Sequence, residues 1–363
     1  MKQEKEKKLN ENNILENKKV LKPLLDECQF NDNINLINNF NLIDANKMND
    51  IKIIENSLNI TSIKSVTVYK IKRNDKILYE IAYPDNKNGY NIIIYNLLLN
   101  KSTNTISNVH LNEIHIIKHY YDKLSENHIL LTSSSDKSIK LWNISSYPIS
   151  NILHIKHCFD GHISSPFCLM YNNEEYYIFG GSLDQKKNIW NKNGELIGSI
   201  EKSLLNASYF IESTYIDNKP YILLSGRYHS ECYDYNNTSI KIYKSNNKNN
   251  SHYVVNLFKN NNKIYLISGD NKGKVIIFDF ISTNEISSIS DCGKIFSLCS
   301  INEKYILIGN IKGELKVIDF NNKSIINNYN AHNKPIAGIE KIKINEKEEY
   351  IITYDINEIK LWK

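Results

Sequence analysis

The sequence is poor in the residues on which phosphate-binding loops and zinc sites depend. Only 13 of its 363 residues are glycine, and we find no Gly-rich loop of the kind that cradles a phosphate. The six cysteines include no Cys-x-x-Cys spacing, which argues against a zinc site. They have the pattern of small apolar residues in a reducing compartment. We therefore expect neither a metal nor a cofactor.

Long apolar runs and charge of one sign are also missing. No stretch approaches the length that spans a membrane, and the N-terminal "MKQEKEKKLNENN" has no apolar core behind it. We therefore expect no membrane span, no signal peptide and a cytoplasmic location, with the nucleus as the alternative. The formal net charge is +5, and the dispersed lysines indicate a solvated surface. Basic and aromatic residues do not cluster along the sequence, so no nucleic-acid partner is expected.

What the chain does contain is a repeat. A strand-like segment with a large residue near its end recurs, as in "SIKLWN" and the C-terminal "EIKLWK". These large residues, which we call anchors, are Tyr95, Trp142, Trp190, Tyr233, Phe278, Ile318 and Trp362, at spacings of 47, 48, 43, 45, 40 and 44 residues. An apolar run, often opened by Tyr, precedes each anchor. A period of about 40–45 residues with about four strands per unit predicts an all-β, seven-bladed β-propeller of four-stranded antiparallel blades.

The register of the fourth blade depends on a choice between two tyrosines. If Tyr243 were the anchor, only about ten residues would separate it from the next inner strand near Val254, too few for a turn, an outer strand and a second turn. The sequence therefore favours Tyr233 as the anchor and predicts that residues 238–244 form the outer strand of that blade.

The seventh blade has three predicted strands when the sequence reaches Lys363. An unpaired outer edge would be a pairing hazard, so we expect an N-terminal segment to supply the fourth strand, with residues 50–58 as the donor. The propeller is thus predicted over 50–363. The preceding residues 1–49 form a Lys/Asn-rich extension that is predicted to be partly disordered or to form short helices, and that could bind a partner.

The segments "LLTSSSDKSIKLWN" (130–143) and "FDGHISSPFCLMY" (159–171) resemble the repeat core and the repeat-opening Gly-His of the WD-repeat β-propeller family. The resemblance covers about residues 66–363. It implies structural tetrads of His, Ser, Asp and Trp, which the sequence matches with His110, Ser134, Asp136 and Trp142 in blade 2 and with His162, Ser182, Asp184 and Trp190 in blade 3. His332 opens a further repeat in the same way. Imidazole and hydroxyl groups both donate and accept, whereas an indole only donates, so such a set can satisfy itself when buried.

The same His, Ser and Asp types could also suggest a hydrolytic triad. They recur in the register of the tetrad, and "GHISSPF" lacks the Gly-x-Ser-x-Gly context of a nucleophile elbow, so we expect no catalysis. The family's phosphoinositide-binding members carry Phe-Arg-Arg-Gly and its ubiquitin-ligase receptors carry Trp-Asp-x-Arg; neither motif is present. We therefore expect a monomeric protein-interaction scaffold. The alternatives are a membrane-lipid-binding propeller and a propeller-fold hydrolase.

The turn before each anchor suggests where a partner binds. The position six residues before the anchor holds Gly89, Asp136, Asp184, Arg227, Lys272, Lys312 and Ile356 in blades 1 to 7. Blades 4 to 6 thus have a base where the tetrad has its acid, and Tyr228 and His229 follow Arg227. One interpretation is that these turns are solvated and have lost the tetrad. The other is a basic sector that binds an acidic or phosphorylated segment, with Arg227 as a bidentate anchor.

Overall fold

The computed structural model describes residues 65–362 except 87–88, 98, 100, 123–124, 157–166, 173–174, 182–186, 201–202, 204, 206–207, 246–250, 302 and 346–347. These residues form strands joined by turns and loops. Nothing within these ranges forms a helix long and apolar enough to cross a membrane.

The strands form seven antiparallel sheets that follow one another along the chain. Blade 1 consists of β1 (Thr67–Arg73), β2 (Lys76–Asp85), β3 (Asn91–Asn96) and β4 (Lys101–Ile106). Blade 2 consists of β5 (Ile114–Asp122), β6 (Asn127–Ser134), β7 (Ile139–Asn143) and β8 (Ser150–Ile155). Blade 3 consists of β9 (Phe167–Asn172), β10 (Glu175–Gly181), β11 (Lys187–Trp190) and β12 (Leu196–Ser199). Blade 4 consists of β13 (Ser208–Ile216), β14 (Lys219–Gly226), β15 (His229–Asp234) and β16 (Ser239–Lys244).

The remaining three blades repeat this order. Blade 5 consists of β17 (His252–Asn260), β18 (Lys263–Asp270), β19 (Val275–Asp279) and β20 (Glu285–Ile289). Blade 6 consists of β21 (Ile295–Ile301), β22 (Tyr305–Asn310), β23 (Glu314–Asp319) and β24 (Ser324–Asn330). Blade 7 consists of β25 (Gly338–Asn345), β26 (Glu348–Tyr354) and β27 (Ile359–Trp362). The predicted seven-bladed propeller is confirmed.

Burial along each blade explains the sequence pattern. The second and third strands lie between two neighbours, and their apolar side chains are buried on both faces: β6 buries the run from Ile129 to Ser133 without a break. Outer strands such as β8 face water and are mostly exposed. All seven anchors lie in third strands, and β16 occupies the predicted outer position of blade 4. The choice of Tyr233 over Tyr243 is confirmed.

The blades form a closed ring. The first strand of each blade contacts the first strand of the next, and β25 contacts β1. The hydrophobic core lies between adjacent sheets, so that Ile81 and Tyr83 of blade 1 pack in one cluster with Ile352 and Tyr354 of blade 7. Each such side chain contributes about 1.5–3 kcal/mol when fully buried, and the closure is therefore well supported by packing.

The outer edge of blade 7 has no partner strand among the residues that the structure describes. The predicted donor, residues 50–58, lies outside them, and so does the extension 1–49. Closure of this blade by the N-terminal segment stays a prediction.

Candidate interaction surface

The loop before β5 places His110 in a buried hydrogen-bond network in blade 2. Its Nδ1 lies 2.9 Å from Oδ2 of Asp136, and its Nε2 lies 2.9 Å from Oγ1 of Thr132. The indole Nε1 of Trp142 donates to the same hydroxyl oxygen at 3.1 Å. Burial lowers the pKa of His110, which favours a neutral ring. Nδ1–H then donates to the carboxylate, and Nε2 accepts from the hydroxyl.

Asp136 also fixes its own turn. Burial alone would raise the pKa of its carboxyl group, but hydrogen bonds from His110, Ser138 and the backbone N–H of Leu111 hold that pKa far below its usual range. The carboxylate therefore stays charged and keeps the β6–β7 turn against the loop that carries His110.

The hydroxyl of this network belongs to Thr132, which corrects the prediction of Ser134. Thr132 lies inside β6, opposite Lys140, where both His110 and Trp142 can reach it. Ser134 lies two residues further along, where the strand ends, and its Oγ donates to the carbonyl oxygen of Asn112 at 2.9 Å. Because side chains two residues apart lie on the same face of a strand, the pattern alone could not separate them.

Three of the four residues predicted for the blade 3 tetrad, His162, Ser182 and Asp184, lie outside the described residues. The fourth, Trp190, is buried in β11 and packs with Ile178 and Leu131 between blades 2 and 3. Its place in a hydrogen-bond network stays a prediction.

Blade 7 holds a network that the sequence did not predict. Nε2 of His332 lies 2.7 Å from Oγ1 of Thr353, and Nε1 of Trp362 donates to that oxygen at 2.7 Å. Nδ1 of His332 lies 3.1 Å from Oε1 of Glu358 and 3.6 Å from Oδ2 of Asp355. Burial lowers the pKa of this histidine too. The arrangement repeats that of blade 2.

The carboxylate at hydrogen-bond distance from His332 is that of Glu358, so counting back six residues from the anchor to Ile356 does not find the acid of blade 7. In blade 2, Ser133 pairs with Ile139 and five residues form the turn. In blade 7, Tyr354 pairs with Ile359 and only four residues do so. The two turns therefore do not match residue for residue: Glu358 lies four residues before Trp362, whereas Asp136 lies six residues before Trp142.

His332, Asp355 and Glu358 are also spaced as metal ligands, with one atom from each within 4.8 Å of the others. Two contacts argue for a structural role. Nε2 of His332 is hydrogen-bonded to Thr353, and the ammonium group of Lys360 lies 3.1 Å from Oε1 of Glu358. A cation is thus already present beside these carboxylates.

The turns of blades 5 and 6 are braced by different residues. In blade 5, Oδ1 of the buried Asp270 accepts hydrogen bonds from the backbone N–H groups of Lys272 at 2.9 Å and Lys274 at 2.7 Å. In blade 6, Oδ1 of Asn310 accepts from the N–H of Lys312 at 2.9 Å. In both blades the bracing residue lies two positions before the position at which the tetrad acid was expected. The side chains of Lys272 and Lys312 are consequently exposed to solvent.

The corresponding turn of blade 4 is formed by Arg227 and Tyr228, both exposed. The guanidinium carbon lies 4.9 Å from the centroid of the Tyr228 ring, a cation–π contact. His229 is buried, and its Nε2 lies 3.0 Å from Oε1 of Glu231. The prediction that His229 takes part in a binding surface is therefore wrong, because the ring faces the interior of the blade.

The three basic turns lie at one end of consecutive blades. In each blade, the turn between the second and third strands adjoins the start of the first strand, as the pairing of Asp270 with His252 in blade 5 shows. Arg227 forms a β-bridge with Ser251, directly before β17. The turn of blade 5 reaches the loop before β21 in the same way, where the N–H of Cys292 donates to Gly273. We call Arg227, Lys272 and Lys312 the basic sector.

The two arginines of the sequence thus have different surroundings. Arg73 is buried, 2.7 Å from Oε1 of Glu80, and donates to the carbonyl oxygen of Ile144. It ties blade 1 to blade 2. Arg227 projects into solvent, and its fork of donors is open to a carboxylate or phosphate.

Comparison with known proteins supports the architecture. No family model matches the chain, and no curated protein matches its sequence. Among solved structures, 1503 chains match, so the fold by itself does not select a function. One of them is Raptor of Chaetomium thermophilum, with a TM-score of 0.64 at 15% sequence identity. The match covers 84% of this chain and 28% of the Raptor chain. The chain thus spans little more than a quarter of that protein, and the likeness shows a β-propeller fold.

Proposed function

We propose that this chain is a non-catalytic scaffold of the WD-repeat type, which assembles a protein complex in the cytoplasm through one end of its propeller. The proposal of WD repeats is supported by the hydrogen-bond networks of blades 2 and 7, each of which joins a histidine before the first strand to a tryptophan in the third. The scaffold role is supported by the exposed residues at that end.

One observation carries the proposal: three consecutive blades present an exposed basic side chain in the turn between their second and third strands, and in blades 5 and 6 another residue braces that turn. Because Asp270 and Asn310 satisfy the backbone of their turns, Lys272 and Lys312 are not needed for folding there. Together with Arg227 they form a positive arc at one end of the ring. An acidic or phosphorylated segment of a protein partner is the complementary ligand, with Arg227 as the bidentate contact.

The surroundings of His110 and His332 argue against a catalytic role for them. The rings of His110 and His332 are buried, and both nitrogens of each are engaged inside their blades. Serine–histidine contacts do occur: Oγ of the half-buried Ser135 lies 2.5 Å from Nε2 of His115. Oγ of Ser230 lies 3.0 Å from Nδ1 of His252, and both of these residues are fully buried between blades 4 and 5. A substrate could not reach the hydroxyl of Ser230.

Affinity capture with the whole protein, followed by mass spectrometry, tests the proposal. We expect the double variant Arg227→Glu with Lys272→Glu to lose a captured partner while it keeps its melting temperature. A matched control, Lys70→Glu with Lys137→Glu, changes the charge equally at exposed lysines of blades 1 and 2 and should keep the partner. Equal capture by both variants would move the binding surface elsewhere. Turnover of a generic ester or phosphate by the purified protein would contradict the non-catalytic role.

A further inference from the structure

Three aromatic side chains form a row beside the basic sector. Tyr209, Tyr253 and Phe296 come from the first strands of blades 4, 5 and 6, and we call them the aromatic row. The ring centroids of Tyr209 and Tyr253 are 5.2 Å apart, and those of Tyr253 and Phe296 are 5.7 Å apart with the planes only 6° from parallel. Tyr209 is 39% exposed and Phe296 is 36% exposed. The row therefore contacts solvent across three blades.

Each residue of the row lies at a break in the strand register. The pairing of β13 with β14 shifts between Ser208 and Phe210, so that Tyr209 is the extra residue. The same shift isolates Tyr253 in β17 and Phe296 in β21. A β-bulge redirects one side chain away from the regular alternation. Three equivalent bulges thus turn three aromatic rings out of their blades at the same position.

A fourth cation joins the row to the basic sector. The ammonium nitrogen of Lys294 lies 5.1 Å from the ring centroid of Tyr253 and 5.2 Å from that of Phe296. The carbonyl oxygen of Lys294 accepts a hydrogen bond from Ile311, next to Lys312. On the other side, Ser251 forms the bridge with Arg227 just two residues before Tyr253. Cations and rings therefore form one continuous surface.

Carboxylates in the loops that adjoin this surface do not cancel its charge. Glu314 is half-buried and accepts from Asn310 at 2.6 Å, with Lys316 at 3.5 Å. Asp270 is buried behind its turn. Asp291 is exposed, and its backbone carbonyl accepts from Lys316. Against these stand four exposed or half-exposed cations, so the surface is positive and in part apolar.

We propose that the aromatic row and the basic sector together bind an acidic protein segment that carries an aromatic side chain. This inference rests on the proposed scaffold function and names the residues that would make binding of the partner specific. The edges of aromatic rings are electropositive, so they add to the cations in attracting carboxylates. An aromatic side chain of the partner would cover the exposed ring surface at the cost of ordering only two torsions.

The same geometry disfavours a single-stranded nucleic acid. A base must stack on the free face of a protein ring. Here the ammonium group of Lys294 lies over both Tyr253 and Phe296, and those two rings are stacked on each other in nearly parallel planes. A base would have to displace Lys294 before it could stack on Tyr253 or Phe296. Carboxylates approach ring edges and the lysine without that displacement.

Fluorescence anisotropy with the full chain and synthetic peptides tests the inference. The probe is a short labelled peptide of alternating Glu and Tyr; the comparison probes replace Tyr by Ser, replace Glu by Lys, or are oligo(dT). We expect the Glu/Tyr peptide to bind best and to weaken steeply as NaCl rises from about 50 to about 300 mM. The double variant Tyr253→Ser with Phe296→Ser should bind it at least about tenfold more weakly.

Matched controls separate loss of the surface from loss of the fold. Ile77→Ser with Ile281→Ser removes two exposed apolar residues elsewhere and should leave affinity unchanged. Lys294→Ser, which leaves the rings in place, should weaken binding and its salt dependence. Unchanged affinity in the row variant, or failure of the wild type to bind the Glu/Tyr peptide, would overturn the inference. Tighter binding of oligo(dT) than of the Glu/Tyr peptide would show that the partner is not an acidic protein segment. If capture by the whole protein still depends on Arg227 and Lys272, the scaffold proposal stands without a role for the aromatic row.

Discussion

Replacing Thr132 by valine tests the network of blade 2 at its central atom. The hydroxyl oxygen of Thr132 is the one atom that both the imidazole of His110 and the indole of Trp142 contact, at 2.9 and 3.1 Å. Valine has nearly the same shape and fills the same space inside β6. The substitution therefore removes hydrogen bonds without creating a cavity.

The expected loss of stability follows from the two nitrogens left behind. Nε1 of Trp142 would lose its acceptor, and Nε2 of His110 would lose its donor, and both lie in a buried site. A buried polar atom without a partner costs about 1–3 kcal/mol. Because the two contacts share one atom and are not additive, we expect a loss of about 2–4 kcal/mol in the free energy of unfolding. The melting temperature should fall by about 4–8 °C.

Urea unfolding followed by circular dichroism measures this loss, and the chain provides its own control. Ser134 is two residues from Thr132 on the same strand. Within the described part of the chain, its Oγ forms hydrogen bonds only with backbone groups, at the rim of the turn. Ser134→Ala should cost less than about 1 kcal/mol. If Ser134→Ala destabilises the protein as much as Thr132→Val does, or if Thr132→Val is neutral, our assignment of the network is wrong.

Three further predictions concern the stability of the ring. Thr353→Val in blade 7 should cost about 2–4 kcal/mol for the same reason as Thr132→Val, measured by the same urea titration. Burial is the larger cause, and the nearby charge of Glu212 the smaller cause, that raises the pKa of Glu340 from 4.5 to about 7. The protonated group therefore stabilises the fold at low pH, and this contribution is lost as the pH rises from about 4.5 to 7. Glu340→Gln should accordingly gain up to about 3 kcal/mol at pH 8 and little at pH 4, and an equal effect at both would refute the shift. Deletion of residues 1–60 should expose the edge of β27 and cause aggregation in light scattering, whereas deletion of 1–45 should not; a monomeric 1–60 deletion with an unchanged melting temperature would mean that another segment closes blade 7.

The architecture could be predicted from the sequence because each blade repeats one buried strand. The anchors lie in third strands, between two neighbours, where bulky residues are needed to fill the space between sheets. Their period survives even where the residue type changes, as at Ile318. The choice between Tyr233 and Tyr243 could be made from chain length alone, since a strand and two turns need a minimum number of residues.

The details of the site could not be predicted because they depend on turn length and strand end. Nothing in "DINEIKLW" shows that its turn is one residue shorter than that of "SSDKSIKLW", and so the acid beside His332, Glu358, was missed. The position of the end of β6 likewise decides between Thr132 and Ser134. The aromatic row, by contrast, left a signal: Tyr209, Tyr253 and Phe296 are separated by 44 and 43 residues, close to the repeat period. Comparison of the repeats column by column would have shown it.

Blades 2 and 7 differ from blades 4 to 6 in what their turns do with charge. In blade 2 the carboxylate of Asp136 points inward and is matched by His110, so its charge holds the blade together. In blades 5 and 6, Asp270 and Asn310 satisfy the turn from a buried position, and the charged side chains of Lys272 and Lys312 are left outside. A residue that braces a turn cannot also reach a partner, because its hydrogen-bonding atoms are already engaged. The loss of the tetrad acid in these two blades therefore leaves the basic side chains of their turns exposed. Blade 2 uses the charge of its turn internally, whereas blades 5 and 6 present the charge of theirs to solvent.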